Sequence, residues 1–334
     1  MKKVFVIVLA ALALAGSCGH KGAGQNEENA EVVAVTVPEE EEEKYVPIKI
    51  IIEKELLYDK YTLADTFPYK DTVRFFQWDK IREQLRIVDS IQLERAAWGV
   101  LQNKSNTNGE APLVKEWHRN EYTRVSDKNN VERYQSIPLY TLEDGEVPEL
   151  YGRDGSPVRI IHSDSTDRVI VETINFGGRW SVPKKYVKNL ADTVTFHRVA
   201  MVDRAMQTIM TLEKSGDKWL VRSMNPATTG AHNPPYAQPT PLGIFVVQEK
   251  KAKMLYTHDG SSEIAGYAPW ASRFCNGGYI HGVPLNSVNA ATIEWSATLG
   301  TIPRSHMCVR NVTSHAKFVY DWAKALNSLV VVIE

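Results

Sequence analysis

The sequence predicts a mainly β chain, α+β overall, with a helical N-terminal segment, a small all-β unit, and a β-rich remainder that carries one late helix. Three observations predict it. Apolar residues from Phe75 to Leu93 recur mostly three and four apart, the period of a helix face. From about residue 134 short β-rich runs alternate with Gly, Asp and Ser turn clusters. Beyond Ala191 strand and turn patterns continue, interrupted only by a helical period at Phe318, Val319, Trp322 and Leu326. With 334 residues the chain is long for one domain.

The first element is a targeting segment. Lys2 and Lys3 precede an apolar run from Val4 to Leu14, and Ala15, Gly16 and Ser17 lead into Cys18. The run is shorter than the ~20 residues that cross a bilayer, and its layout is that of a secretory signal. Because the small residues end on a cysteine, the segment 1–18 resembles a bacterial lipoprotein signal, which implies that Cys18 becomes the lipidated first residue of the mature chain. A lipid-anchored protein of the cell envelope, facing periplasm or exterior, is the expectation. Residues 19–46 are rich in Gly, Asn and Glu and end in the acidic run Glu39 to Glu43 beside Pro38. They cannot bury enough surface to offset ordering entropy, and like charges extend a linker, so a disordered acidic tether is expected. The formal net charge of -1 with 24% charged residues excludes the basic surface that nucleic-acid binding needs.

Residues 47–133 are expected to be helix and loop. Phe75, Trp78, Ile81, Leu85, Val88, Ile91 and Leu93 form an apolar stripe that reads as a packing face, with Asp71-Thr72 as a candidate start. Asn106, Asn108, Gly109 and Pro112 read as a loop, and Trp117, His118 and Tyr122 as contacts to the next unit. Residues 134–190 switch to period two, with runs at Val158 to Ile161 and Arg168 to Glu172. The segment Trp180 to Val187 resembles the closing part of bacterial SH3-like domains, an aromatic strand, a short turn and a final paired strand. That resemblance implies a small SH3-like β-barrel, either a peptide- or glycopeptide-binding module or a spacer.

In residues 191–334 the β-rich stretches Lys218 to Ser223, Ile244 to Gln248 and Lys253 to His258 precede the residues that carry chemistry. Cys308 lies in Ser305-His306-Met307-Cys308-Val309-Arg310, 27 positions (308 minus 281) after His281 in Tyr279-Ile280-His281-Gly282. A thiol and an imidazole far apart in sequence, each framed by strand and turn residues, suit a cysteine nucleophile with a general base. Two alternatives stand beside this. Cys275 is a second thiol, and in an oxidising compartment the two can form a disulfide. His306, two residues from Cys308, shares a strand face with it and competes for the role of base; His315 reads as a surface residue. The segment between Thr257 and Gly278, with Gly260, Gly266, Tyr267 and Trp270, reads as a lid.

Three separated pieces, Thr240 to Phe245 (Thr-Pro-x-Gly-x-Phe), His281-Gly282, and Ser305 to Arg310 (Ser-His-x-Cys-Val-Arg), resemble the L,D-transpeptidase catalytic domain, the YkuD family, over about 140 residues. The resemblance implies a β-sandwich-like fold, no cofactor and no metal, and a peptidoglycan stem peptide as substrate. It implies that Cys308 is the nucleophile and His281 the base, with the carbonyl of Gly282 orienting the ring. His306 is supporting, and the amides of Met307 and Cys308 serve as oxyanion donors. Arg310, Ser305, Tyr279, Trp270 and Tyr267 are candidate substrate contacts, Arg310 because guanidinium suits carboxylate, with a structural ion pair as its other reading. Carbapenem-type inhibitors are an implied ligand class. The family often has Ser in place of Gly282 and usually Gly in place of Met307, and glycine there suggests special backbone angles or close substrate approach. A non-catalytic cell-wall-binding lipoprotein and an L,D-carboxypeptidase using the same site are the competing functions.

Overall fold

The computed structural model describes residues 48–334, apart from 94, 144, 164–166 and 192–193. Cys18 and the expected tether at 19–46 therefore lie outside the described residues.

The strands of the largest sheet run, in spatial order, Gly243–Val246, Ser328–Ile333, Arg198–Asp203, Thr208–Ser215, Lys218–Thr228, Val309–Asn311, Gly278–His281, Ile264–Cys275 and Glu249–Thr257, with Ile51–Lys54 added in parallel beside Lys218–Thr228. Its central strands are apolar at successive positions because both faces are covered. Val199 and Met201 enter one core while Ala200 and Val202 enter the other, and Leu329, Val331 and Ile333 alternate with Val330 and Val332 in the same way. The first core is closed by the helix Trp78–Ser90 through Ile81, Leu85 and Val88. The second is closed by the late helix Thr313–Trp322 through Val319 and Trp322. Each fully buried side chain of this size stabilises the fold by about 1.5–3 kcal/mol.

A five-stranded antiparallel sheet has the order Arg179–Pro183, Arg168–Thr173, Pro157–His162, Ala97–Leu101, Val187–Asn189. The segment around Trp180 is, as its pattern predicts, a strand, a short 3-10 turn at Lys184–Tyr186 and a paired strand. Both sheets belong to one compact unit, Pro47–Glu334, and they meet at the turn after Leu150–Arg153. Gly155, at a φ of 91°, passes so close to the strand Ile264–Cys275 that a Cβ there would lie 1.8 Å from the Phe274 carbonyl oxygen. Next to it the fully buried Asp154 carboxylate accepts from Arg273 at 2.5 Å and from Gln248 at 2.9 Å. A charge pair taken out of water is tolerated when most of its hydrogen bonds are made: here both guanidinium Nη atoms are used, on Asp154 and Gln248, while the buried Arg273 Nε has no hydrogen-bond partner among the described residues.

Three expectations need correction. The stretch 47–133 is not mainly helical: beside the helix Trp78–Ser90 it holds strands and hairpins, and Asp71-Thr72 sits at a hairpin turn between Thr66–Tyr69 and Thr72–Phe75, while the helix starts after Gln77. The periodic stripe continued past the helix at both ends, where Phe75 and Leu93 are exposed. The expected lid is largely a strand, Ile264–Cys275, paired on both sides, and only its turn to Glu249–Thr257 is loop. His315 is fully buried rather than on the surface, bonded to Ser223 at 2.9 Å and Asn311 at 3.0 Å. Among the described residues no helix is long and apolar enough to cross a membrane.

Candidate active site

The strand Val309–Asn311 begins one residue after Cys308 and lies between Lys218–Thr228 and Gly278–His281, pairing Arg310 with Thr228 on one side and with His281 on the other. That register brings the ends of two sequence-distant motifs to one edge of a cavity of about 1160 Å³ lined by Cys308, His281, Tyr279, Arg310, Ser305 and His306. Six of the predicted site residues thus share one cavity.

Two side chains hold the loop that carries the thiol. Thr240 is buried, donates its hydroxyl to the Met307 carbonyl at 2.8 Å and accepts from the Gly230 amide at 2.9 Å. Ser305 donates its hydroxyl to the Cys308 carbonyl. Gly230 permits this closeness, since a Cβ there would stand 2.8 Å from Met307 Cα. Met307 itself has a φ of 80°, in the left-handed region where glycine is at ease and other residues pay about 1 kcal/mol or more. The left-handed backbone, and not room for substrate, is therefore the structural demand at this position. The Met307 side chain joins the second core and lines a different cavity.

His281 is buried, and its Nδ1 lies 2.6 Å from the carbonyl oxygen of Gly282. The only productive arrangement is an Nδ1–H donor, which leaves Nε2 as the free lone pair. Burial lowers its pKa to about 4, against the opposing pull of the Gly282 carbonyl. Cys308, half-buried, donates its thiol weakly to the Gly277 carbonyl at 3.5 Å. Burial raises its pKa to about 11, opposed by the Tyr279 amide and by Arg310. Thiol and imidazole are both neutral at rest. Cys275 and Cys308 are both free, and Cys275 is packed in the second core.

Arg310 is largely desolvated, which lowers its pKa, and its buried Nε has no hydrogen-bond partner among the described residues. His306 faces the rim instead, 3.0 Å from Asp259 on the turn after Glu249–Thr257. Tyr279 donates its hydroxyl to Glu249 at 2.9 Å, and Glu249 is also paired with Lys104 and Arg273. Lys104, Asp259 and Tyr256 line the cavity and were not predicted. Lys104 is more than 140 residues upstream in a loop, and nothing local signals its place. Two predicted contacts stand elsewhere. Tyr267 is buried and donates its hydroxyl to the Ala290 carbonyl at 2.8 Å, and Trp270 packs its ring on Tyr320 at 5.5 Å, toward the late helix. Among the described residues no group of three His, Cys, Asp or Glu side chains could hold a metal ion.

Residues 197–333 match the YkuD family model, the L,D-transpeptidase catalytic domain. Searching curated proteins gave no match. Among solved structures the chain is similar to the LD transpeptidase LdtMt1 in complex with imipenem, at 18% identity over 53% of this chain and 91% of that one, with a TM-score of 0.35. It is also similar to an L,D-transpeptidase from Mycobacterium tuberculosis H37Rv, at 16% identity over 55% and 92% with a TM-score of 0.33. A fused Zn-dependent amidase/peptidase/peptidoglycan-binding domain-containing protein from Clostridium acetobutylicum shares 18% identity over 42% of this chain, with a TM-score of 0.31. The match spans about half of that protein's length, 53%.

Proposed function

We propose that the protein is a peptidoglycan L,D-transpeptidase working through a thioester on Cys308. The observation that supports this most is the shared cavity: within the stretch that matches the family, Cys308 and a neutral His281 with a free Nε2 line one pocket from adjoining strands. In this reading Cys308 Sγ attacks the carbonyl carbon that links the L-centre of a diamino acid to D-alanine, and its proton passes to His281 Nε2. The oxygen gains charge against the amides of Met307 and Cys308, a contribution of about 3 kcal/mol per donor. The C–N bond then breaks, the proton moves to the leaving amine, and D-alanine departs. A second stem's amine attacks the thioester, gives its proton to His281 and releases the thiol.

Since thiol and imidazole are both neutral at rest, proton transfer accompanies attack instead of preceding it. Arg310, with its unpartnered Nε, offers a guanidinium to a stem carboxylate. The His306–Asp259 pair at the rim supports a secondary role for His306 and favours His281 as the base. Cys18 as lipid anchor would hold this chemistry at a membrane of the cell envelope, with the five-stranded sheet as an SH3-like spacer or glycopeptide-binding part beside it.

The test is incubation of the purified protein with tetrapeptide muropeptides and mass spectrometry of the products. Cross-linked dimers are expected from the wild type, with a loss of at least ~10³-fold in Cys308→Ser and of about 10²–10⁴-fold in His281→Gln. Shortened monomers in place of dimers would make the protein a carboxypeptidase with the same thioester. No product from any of the three proteins would sink the catalytic reading. A carbapenem should add its mass to the wild type and not to Cys308→Ser.

A further inference from the structure

Behind the loop that carries Cys308 lies a second cavity of about 650 Å³, which Cys308 does not line but Met307 does. This volume falls in the ~300–1,000 Å³ range of small-molecule sites. Part of its wall comes from residues 118–153, upstream of the stretch that matches the family. Three guanidinium groups line it: Arg119, Arg153 and Arg204.

The charges do not balance inside the cavity. Of its two carboxylates, Glu132 is spent on Arg124 at 3.0 Å and Asn120 at 3.1 Å, and Glu121 faces His232 at 3.2 Å. Arg204 is paired with Glu334 at 3.2 Å, and Arg119 donates to the Thr123 carbonyl at 2.8 Å. Arg153 makes no direct ion pair and no side-chain hydrogen bond among the described residues; lost hydration lowers its pKa, with Asp127 and Glu132 opposing from a distance. A partly desolvated guanidinium whose hydrogen bonds the protein does not make is costly, and a ligand carboxylate would remove that cost. The uncharged wall is mixed: Asn120, Asn130 and Gln238 are polar, while Tyr122, Pro239, Pro241 and Leu242 give an apolar part that suits short aliphatic side chains.

We infer that this second cavity is a binding site for a short peptide bearing a free carboxylate, received by Arg153, on the reverse side of the loop that holds Cys308. Pro239 and Pro241 flank Thr240, whose hydroxyl grips the Met307 carbonyl, so an occupant would stiffen the nucleophile loop from behind. The site is independent of the reaction assigned to Cys308.

The full chain carrying Cys308→Ser is titrated calorimetrically with N-acetyl-alanyl-alanine and, separately, with its C-terminal amide. The free acid should bind and the amide at least tenfold more weakly. Arg153→Gln should weaken the free acid at least tenfold, with Arg119→Gln weakening it less. Amide hydrogen exchange in residues 239–242 and 306–309 should slow on binding, a readout in the unaltered pocket that stands even if Arg153→Gln fails to fold. Equal binding of acid and amide, no heat with either, or a loss that follows Arg310→Gln and not Arg153→Gln would each overturn the site. None of these results bears on muropeptide turnover, which is read with Cys308 intact.

Discussion

Burial pulls the pKa values of Cys308 and His281 apart, to about 11 and about 4, which disfavours a thiolate–imidazolium pair before substrate arrives. At pH 7 roughly 1 thiol in 10⁴ is ionised. Alkylation of Cys308 by iodoacetamide should therefore be slow at pH 7 and climb steadily through pH 9, as a mass-spectrometric time course would follow. A plateau reached by pH 7 would show a preformed ion pair and contradict this electrostatic picture. Met307 carries a second residue-scale consequence. At a φ of 80° an alanine keeps the backbone strain and loses the methionine's packing, whereas glycine loses the packing and sheds the strain. Met307→Gly should be more stable than Met307→Ala by about 1 kcal/mol, in urea unfolding; the opposite order would mean the backbone is not strained there.

The loop that carries Cys308 and the end of the strand Gly278–His281 are held by elements that each leave little room. Gly282 lies against the start of the late helix: a Cβ would stand 2.9 Å from both Pro269 Cγ and Thr313 Oγ1 and 3.1 Å from Thr313 Cα. Those contacts account for glycine at a position where the resembling family often has serine. Gly282→Ser should cost about 1–3 kcal/mol from overpacking and tilt the carbonyl that orients His281, lowering turnover together with stability. A serine variant as stable as the wild type would mean that Thr313 and Pro269 yield freely. The motif at Thr240 to Phe245 has a structural duty at both ends. Thr240 anchors Met307, while Phe245 fills the second core against Phe274 at 5.7 Å.

For the whole molecule, two buried histidines set the acid side of stability. His315 is pressed to about 3 and His281 to about 4 by burial, against ~6.5 in an unfolded chain. Above pH 6.5 both states are neutral and this contribution is fully present. As pH falls below 6.5 the unfolded chain takes up protons that the native state refuses, so stability declines down to the folded values. The loss at pH 5 should be roughly 1–2 kcal/mol per histidine, measured as the urea unfolding free energy at pH 7 and pH 5. An unchanged free energy between those two pH values would contradict the burial of both rings. The same packing joins the five-stranded sheet to the strands of the large sheet through Asp154 and Arg273, and brings Lys104 to the cavity wall.

The late helix and the buried final strand were legible in the sequence, because periodicity is a local property of the chain, and motif order singled out Cys308 and His281 as candidates, which the fold brings to one cavity. So was the strangeness of Met307, although its cause, a left-handed backbone, was not. The sequence by itself determined which groups are available for chemistry and in what order they occur. The tertiary structure alone decided that Tyr267 and Trp270 pack elsewhere, that Lys104 and Asp259 line the cavity, that His315 is buried, and that Arg153 makes no direct ion pair among the described residues. The physical reason is that burial, desolvation and pairing are set by contacts between elements distant in sequence, such as Trp270 with Tyr320 and Lys104 with Glu249. No window of sequence contains both partners.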